Sequence, residues 1–86
     1  MNKIIGIIEP FQKQQQLYIY KDNVKVEAIT TTLDTIVNDI SSLIKEYEIE
    51  EVDLKGPDKF SKKFGKEIKE SMLSKYSNSS IEIKYI

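Results

Sequence analysis

The side chains able to do chemistry in this chain are carboxylates, lysine amines, tyrosine phenols and hydroxyls, because histidine, cysteine and tryptophan are absent. Without histidine the commonest general base near neutral pH is missing, and so is the commonest transition-metal ligand. Without cysteine neither a disulfide nor a thiolate nucleophile can form. All thirteen basic residues are lysine, so no bidentate guanidinium is present to read a guanine edge or clamp a phosphate. The net charge of −1 argues against a protein held to nucleic acid by electrostatics. Lysine, isoleucine and asparagine have AT-rich codons, so the composition points to a low-GC genome: a bacterium, its phage or a mobile element.

Three groupings remain to be weighed. Lys59, Lys62, Lys66 and Lys69 fall near one another at roughly 100° per residue and would make a basic stripe on a helix. Glu67 and Glu70 interleave with them and supply acidic partners at helical spacing, as on a solvated face. Tyr18 and Tyr20, two apart, share one face of a strand and would suit base stacking; the absent arginine and the neighbouring acids favour protein contact instead. Gly56-Pro57-Asp58 opens a helix, but one glycine and an acid at its mouth fall short of a phosphate loop. No cofactor is implied, and no metal-ligating cluster stands out.

The elements that position these groups follow from hydrophobic periodicity. Residues 3–9 read as a strand with Ile5 and Ile7 on one face and Ile4, Gly6 and Ile8 on the other, the pattern of a central strand covered on both sides. Glu9 and Pro10 end it, far short of a spanning helix or a signal segment. The polar run 12–16 connects to a second strand over 17–20, Asp22-Asn23 is a two-residue turn, and 24–28 alternate as a third strand. Thr30-Thr31-Thr32 offer N-caps and Asp34 a favourable first-turn charge for a helix over 33–47, with Ile36, Val37, Ile40, Leu43, Ile44 and Tyr47 on one face. Residues 51–55 alternate as a fourth strand. A second helix runs through Phe60, Phe64, Ile68 and Met72, with Gly65 inside it, and a fifth strand carries Ile81, Ile83 and Tyr85.

Eighty-six residues make one domain, 1–86, small enough that its core supplies only ~3–5 kcal/mol, so oligomerisation is a plausible source of added stability. The order β-β-β-α-β-α-β predicts an α/β fold: a five-stranded mixed sheet in strand order 3-2-1-4-5. Right-handed crossovers put both helices on one face. This is the core of the RNase H-like fold. The covered face is expected to carry Leu17, Ile19, Val24, Val26, Ala28, Val52, Leu54, Ile81, Ile83 and Tyr85. The open face is expected to show Tyr18, Tyr20, Lys25, Glu27, Asp53, Glu82 and Lys84 beside one isoleucine set, an apolar centre with a charged rim.

The start Lys3-Ile4-Ile5-Gly6-Ile7-Ile8-Glu9-Pro10 resembles the first strand of RuvC-type resolvases and their pre-16S rRNA nuclease relatives, and Val52-Asp53-Leu54-Lys55-Gly56-Pro57 resembles their fourth strand and its exit. The resemblance implies a nuclease working through Mg or Mn, with Glu9, Asp53 and Asp34 as the acids on the matching elements. This chain departs from that pattern. Ile8 stands where the family's first aspartate belongs, Glu9 sits one residue late, and the family's last acid would lie on a helix beyond Ile86. A one-residue offset turns a strand side chain to the other face, whereas two-metal hydrolysis needs carboxylates converging on ions ~3.5–4 Å apart.

The expectation is therefore a small, non-catalytic, cytoplasmic interaction module of phage or mobile-element type. It would form a homodimer, or bind a protein partner, through the open face or an edge strand. A degenerate nuclease and a weak nucleic-acid binder using the lysine stripe are the alternatives, and a membrane is not expected as a partner.

Overall fold

A computed structural model describes all residues, 1–86. The strands are β1 (Lys3–Ile7), β2 (Gln15–Lys21), β3 (Val24–Thr31), β4 (Glu51–Lys55) and β5 (Glu82–Tyr85); the helices are α1 (Ile36–Tyr47) and α2 (Lys59–Lys75). They form one sheet in the order β3-β2-β1-β4-β5. β1–β2 and β2–β3 pair antiparallel, while β1–β4 and β4–β5 pair parallel. The predicted topology is the observed one.

The core lies between the sheet and the two helices. Ile4, Ile8, Leu17, Ile19, Val52, Leu54 and Ile83 meet Ile36, Ile40, Leu43, Ile44, Ile68 and Met72 there. Close approach of α2 depends on Gly65, where a Cβ would lie 2.3 Å from Tyr85 Cε2. The turn into α2 depends on Gly56 in the same way, because its Cβ would lie 2.3 Å from the Ile8 carbonyl oxygen. The β2–β3 hairpin turns on Asp22 (φ 51°) and Asn23 (φ 68°), both left-handed, as a type I′ turn requires.

Three local expectations are corrected. α1 starts at Ile36, with Thr35 as N-cap and Asp39 as the acid of its first turn. Asp34 lies ahead of the helix and is exposed. The reason is a local side-chain network: the Thr31 hydroxyl donates to Asp39 Oδ2, and Thr35 Oγ1 donates to the same oxygen at 3.2 Å. Hydroxyls that find such partners hold the preceding backbone out of the helix.

Gln15 is no loop residue. It opens β2, is almost fully buried, and its amide nitrogen donates to the carbonyls of Glu9 (3.0 Å) and Gln12 (3.1 Å).

The third correction concerns β3. A bulge lets Ile19 pair with Glu27 but Tyr20 with Lys25, leaving Val26 as the extra residue. Glu27 therefore lies on the helix side, where it accepts the Tyr47 hydroxyl from α1, and Ala28 lies on the open side opposite Tyr18. Val24 and Val26 are not covered; they are 63% and 49% exposed. A bulge adds local twist, and α2 packs on β4 and β5, at the far side of the sheet from β3.

Candidate functional site

Alternation along the strands assigns each side chain on the open face, and the pairing register orders them into rows. The middle row runs Ala28, Tyr18, Ile5, Asp53, Lys84 from β3 to β5; the next runs Lys25, Tyr20, Lys3, Glu51, Glu82. Of the residues expected on this face, Tyr18, Tyr20, Lys25, Asp53, Glu82 and Lys84 lie on it, and Glu27 does not. Ile5 and Ile7 are half-buried at its centre, with no helix across them. The Lys25 amine sits 5.3 Å from the centre of the Tyr18 ring, within cation–π range.

The face also holds a feature that sequence reasoning missed. Glu51 and Asp53, two apart on β4, present their carboxyl groups side by side. Both are buried, Asp53 to 4% exposure, although no helix lies over them. Glu51 Oε2 is 3.6 Å from the Lys84 amine. Asp53 Oδ1 is buried with no hydrogen-bond partner. Burial, reinforced by the neighbouring Glu51, pushes the Asp53 carboxyl up to about 6. The adjacent Asp53 carboxyl holds Glu51 below its ordinary value, against its own burial, with Lys84 adding to the effect. Of the two carboxyls, Asp53 thus binds a proton more readily than a free side chain and Glu51 less readily. The alternation of β4 showed that both acids share a face, but only the sheet order shows that Ile5 and Lys84 close around Asp53.

The acids named for metal-dependent hydrolysis do not converge. Asp53 pairs with Ile5, and Glu9 lies four residues further along, about 13 Å at the strand rise. Asp34 precedes α1 on the helix side of the sheet. No group of three acidic side chains is close enough to hold a metal ion.

At the carboxyl ends of β1 and β4 the chain makes a second surface. Phe11, 77% exposed, sets its ring edge against Phe60 with centroids 5.4 Å apart. A shallow cavity of about 130 Å³ lies between Glu9, Pro10, Phe11, Gln12, Pro57 and Asp58. Ligands of open α/β sheets collect outside such strand ends. Here, however, Asp58 caps its own helix, accepting from the Ser61 backbone N–H at 2.9 Å. That bond holds its carboxyl below the ordinary range. A carboxylate therefore already occupies the place an incoming phosphate would take. Nothing in the sequence announced the Phe11–Phe60 contact, which joins the loop after β1 to the first turn of α2.

Lys59, Lys62 and Lys66 are exposed on α2 and Lys69 is half-buried. The acids expected to pair with them do not: Glu67 and Glu70 form no ion pair. The Lys59 amine lies 5.6 Å from the centre of the Phe60 ring. No helix of the chain is long and apolar enough to cross a membrane.

This sheet order with two helices on one face is the core shared by the RNase H-like and actin-like ATPase folds. Among solved structures, the chain is similar to a Bacteroides thetaiotaomicron protein described as having an actin-like ATPase fold and unknown function (TM-score 0.62, 11% identity). The match covers 99% of this chain and 32% of that one, so this chain spans about a third of its length. No protein family matches the sequence, and no curated protein is similar to it.

Proposed function

We propose that this chain is a small, non-catalytic, cytoplasmic interaction module that associates with a second copy of itself through the open sheet face. The observation that supports this reading is β1. Its open-face residues Ile5 and Ile7 are as apolar as its covered ones, and strands of that kind normally have a layer on each side. Tyr18 and Tyr20 flank them, and lysines and acids form the rim, the composition of a contact surface. Size adds a reason, since a core worth ~3–5 kcal/mol gains from a partner. The edge strand β3 is the weaker candidate, because its bulge and the charges of Lys25 and Glu27 are devices that discourage strand-to-strand pairing.

Light scattering coupled to size-exclusion chromatography tests the reading. The wild-type chain is expected to run at twice the chain mass, and the Tyr18→Lys, Tyr20→Lys double variant as a monomer. A double variant with unchanged mass would remove the open face from consideration.

The resolvase-like nuclease is the competing reading, and the buried Glu51–Asp53 pair on β4 is the observation in its favour. Calorimetric titration with Mn²⁺, alongside incubation with branched DNA, separates the two. No saturable binding and no cleavage are expected; binding that Asp53→Asn abolishes, together with cleavage, would establish the nuclease. The similarity to an actin-like ATPase fold supports no nucleotide site, because this chain has no glycine-rich phosphate turn.

A further inference from the structure

Donors and acceptors on the open face are sorted to opposite sides of β1. On the β2–β3 side stand Tyr18, Tyr20 and Lys25; on the β4–β5 side stand Asp53, Glu51 and Glu82. Tyr18 and Asp53 occupy the same row, one strand to either side of Ile5. The Tyr18 hydroxyl makes no hydrogen bond within the chain, and Asp53 Oδ1 is a buried acceptor with no donor. A buried acceptor left unpaired costs stability, and the helix side of β4 is filled by Val52 and Leu54. Lys84, its neighbour in the row, reaches Glu51 instead, so a donor from across the open face would complete the bonding of Asp53.

Resting on the self-association proposed above, we propose that two copies pack open face to open face about a two-fold axis running along β1. Each copy's Tyr18 hydroxyl then donates to the unpaired Asp53 oxygen of the other. Rotation about such an axis keeps the row and exchanges the two sides of β1. Ile5 meets the partner's Ile5 and Ile7 the partner's Ile7 on the axis. In the next row the partner's Glu82 comes over Lys25, and the partner's Glu51 comes over Tyr20. Small Ala28 leaves room for the partner's long Lys84. Glu51, Asp53 and Glu82 thus each meet a donor, the self-complementarity an isologous interface requires, and Lys3, on the axis beside Glu51 of its own chain, faces the partner's Lys3. Faces of stacked sheets lie about 10 Å apart, a gap a tyrosine can bridge when its acceptor side chain points back. A two-fold axis perpendicular to the strands through this row would instead set Tyr18 against the partner's Tyr18 and Asp53 against the partner's Asp53, like against like.

The experiment uses two variants, Tyr18→Phe and Asp53→Ala, singly and mixed. Tyr18→Phe keeps the ring and removes only the donor, and circular dichroism confirms that each variant is folded. Sedimentation equilibrium is expected to show dimerisation weakened about tenfold in each single variant. When equal amounts are mixed, the heterodimer regains one Tyr18–Asp53 bond and sets Phe against Ala in the other, whereas both homodimers lose both bonds. Native mass spectrometry should therefore show heterodimer well above the statistical share of roughly half. A dimeric wild type whose variants mix at or below that share overturns this geometry and leaves the open-face reading standing. A wild type that is monomeric up to millimolar concentration overturns both.

Discussion

Ile4 and Ile5 are neighbours on one strand, yet they belong to two different surfaces. Ile4 is fully buried beneath both helices among aliphatic side chains, where each methyl group is held by its neighbours. Ile5 is half-buried on the opposite face, between Tyr18 and Asp53. The covered face is uniformly apolar and closed to solvent. The open face alternates apolar, aromatic and charged groups, and it buries a carboxyl pair that the single chain leaves incompletely bonded. A face that served only as wall for one core would have no use for a buried acid. On the proposed reading, β1 holds together two layers, of which the chain supplies one.

The sharpest way to break this contrast is to truncate the two neighbours separately. Ile4→Ala should cost ~2–5 kcal/mol in urea denaturation at any protein concentration, the range for a core deletion. Ile5→Ala should cost less than about 1 kcal/mol in dilute protein and more as concentration rises, because mass action couples dimerisation to stability. Equal, concentration-independent costs would erase the difference between the faces.

Next in size is Gly65→Val. Its side chain would collide with the Tyr85 ring beneath α2, and overpacking of this kind costs ~1–3 kcal/mol, read as a lower thermal midpoint with helix content retained. If the midpoint holds, α2 does not sit as closely on β5 as the covered face requires.

The carboxyl pair predicts a pH effect of opposite sign to ordinary acid denaturation. Asp53 binds its proton more tightly when folded, at about 6 against 3.8 for the free side chain. Its contribution to stability is therefore complete below pH 4 and is lost as pH rises through about 6. The depressed Glu51 opposes part of this change. Asp53→Asn should remove the loss, making dilute protein more stable than wild type at pH 7.5 by on the order of 1–3 kcal/mol and no more stable at pH 4. A gain of equal size at both pH values would show that the acid is not ionising within the folded open face.

The smallest effect belongs to the covered side's rim. The hydrogen bond to Glu27 pushes the Tyr47 phenol up to about 12. Of the five tyrosines, Tyr47 and, through burial, Tyr85 should resist ionisation in an alkaline absorbance titration, and Glu27→Gln should return Tyr47 alone toward its ordinary value. A titration unchanged by that substitution would put Glu27 back on the open face.

Much of the architecture was legible because periodicity is a local property. Ile4, Ile5, Ile7 and Ile8 mark a central strand by themselves, and Asp22-Asn23 marks its hairpin. Ile36, Ile40, Leu43 and Ile44 mark a helical stripe in the same way. The candidate site was legible only in part: Tyr18, Tyr20, Lys25, Glu82 and Lys84 were placed on the open face by strict alternation. Glu27 failed because one bulged residue, Val26, reverses the face of everything after it, and no residue type announces that bulge. Glu51 went unremarked because an acid on a strand reads as solvent-facing until its neighbours are known.

Residue types and their local spacing set which segments are strands or helices, the order that allows one sheet topology, and the absence of histidine and cysteine chemistry. Each rests on residue type or on spacing within a few positions. Tertiary structure decided that Asp53 is buried without a donor and that Phe11 meets Phe60. It also decided that Tyr18 and Asp53 stand in one row on either side of Ile5. Those facts depend on register between strands far apart in the chain, and register is fixed by packing of the whole core against the sheet, not by any local pattern.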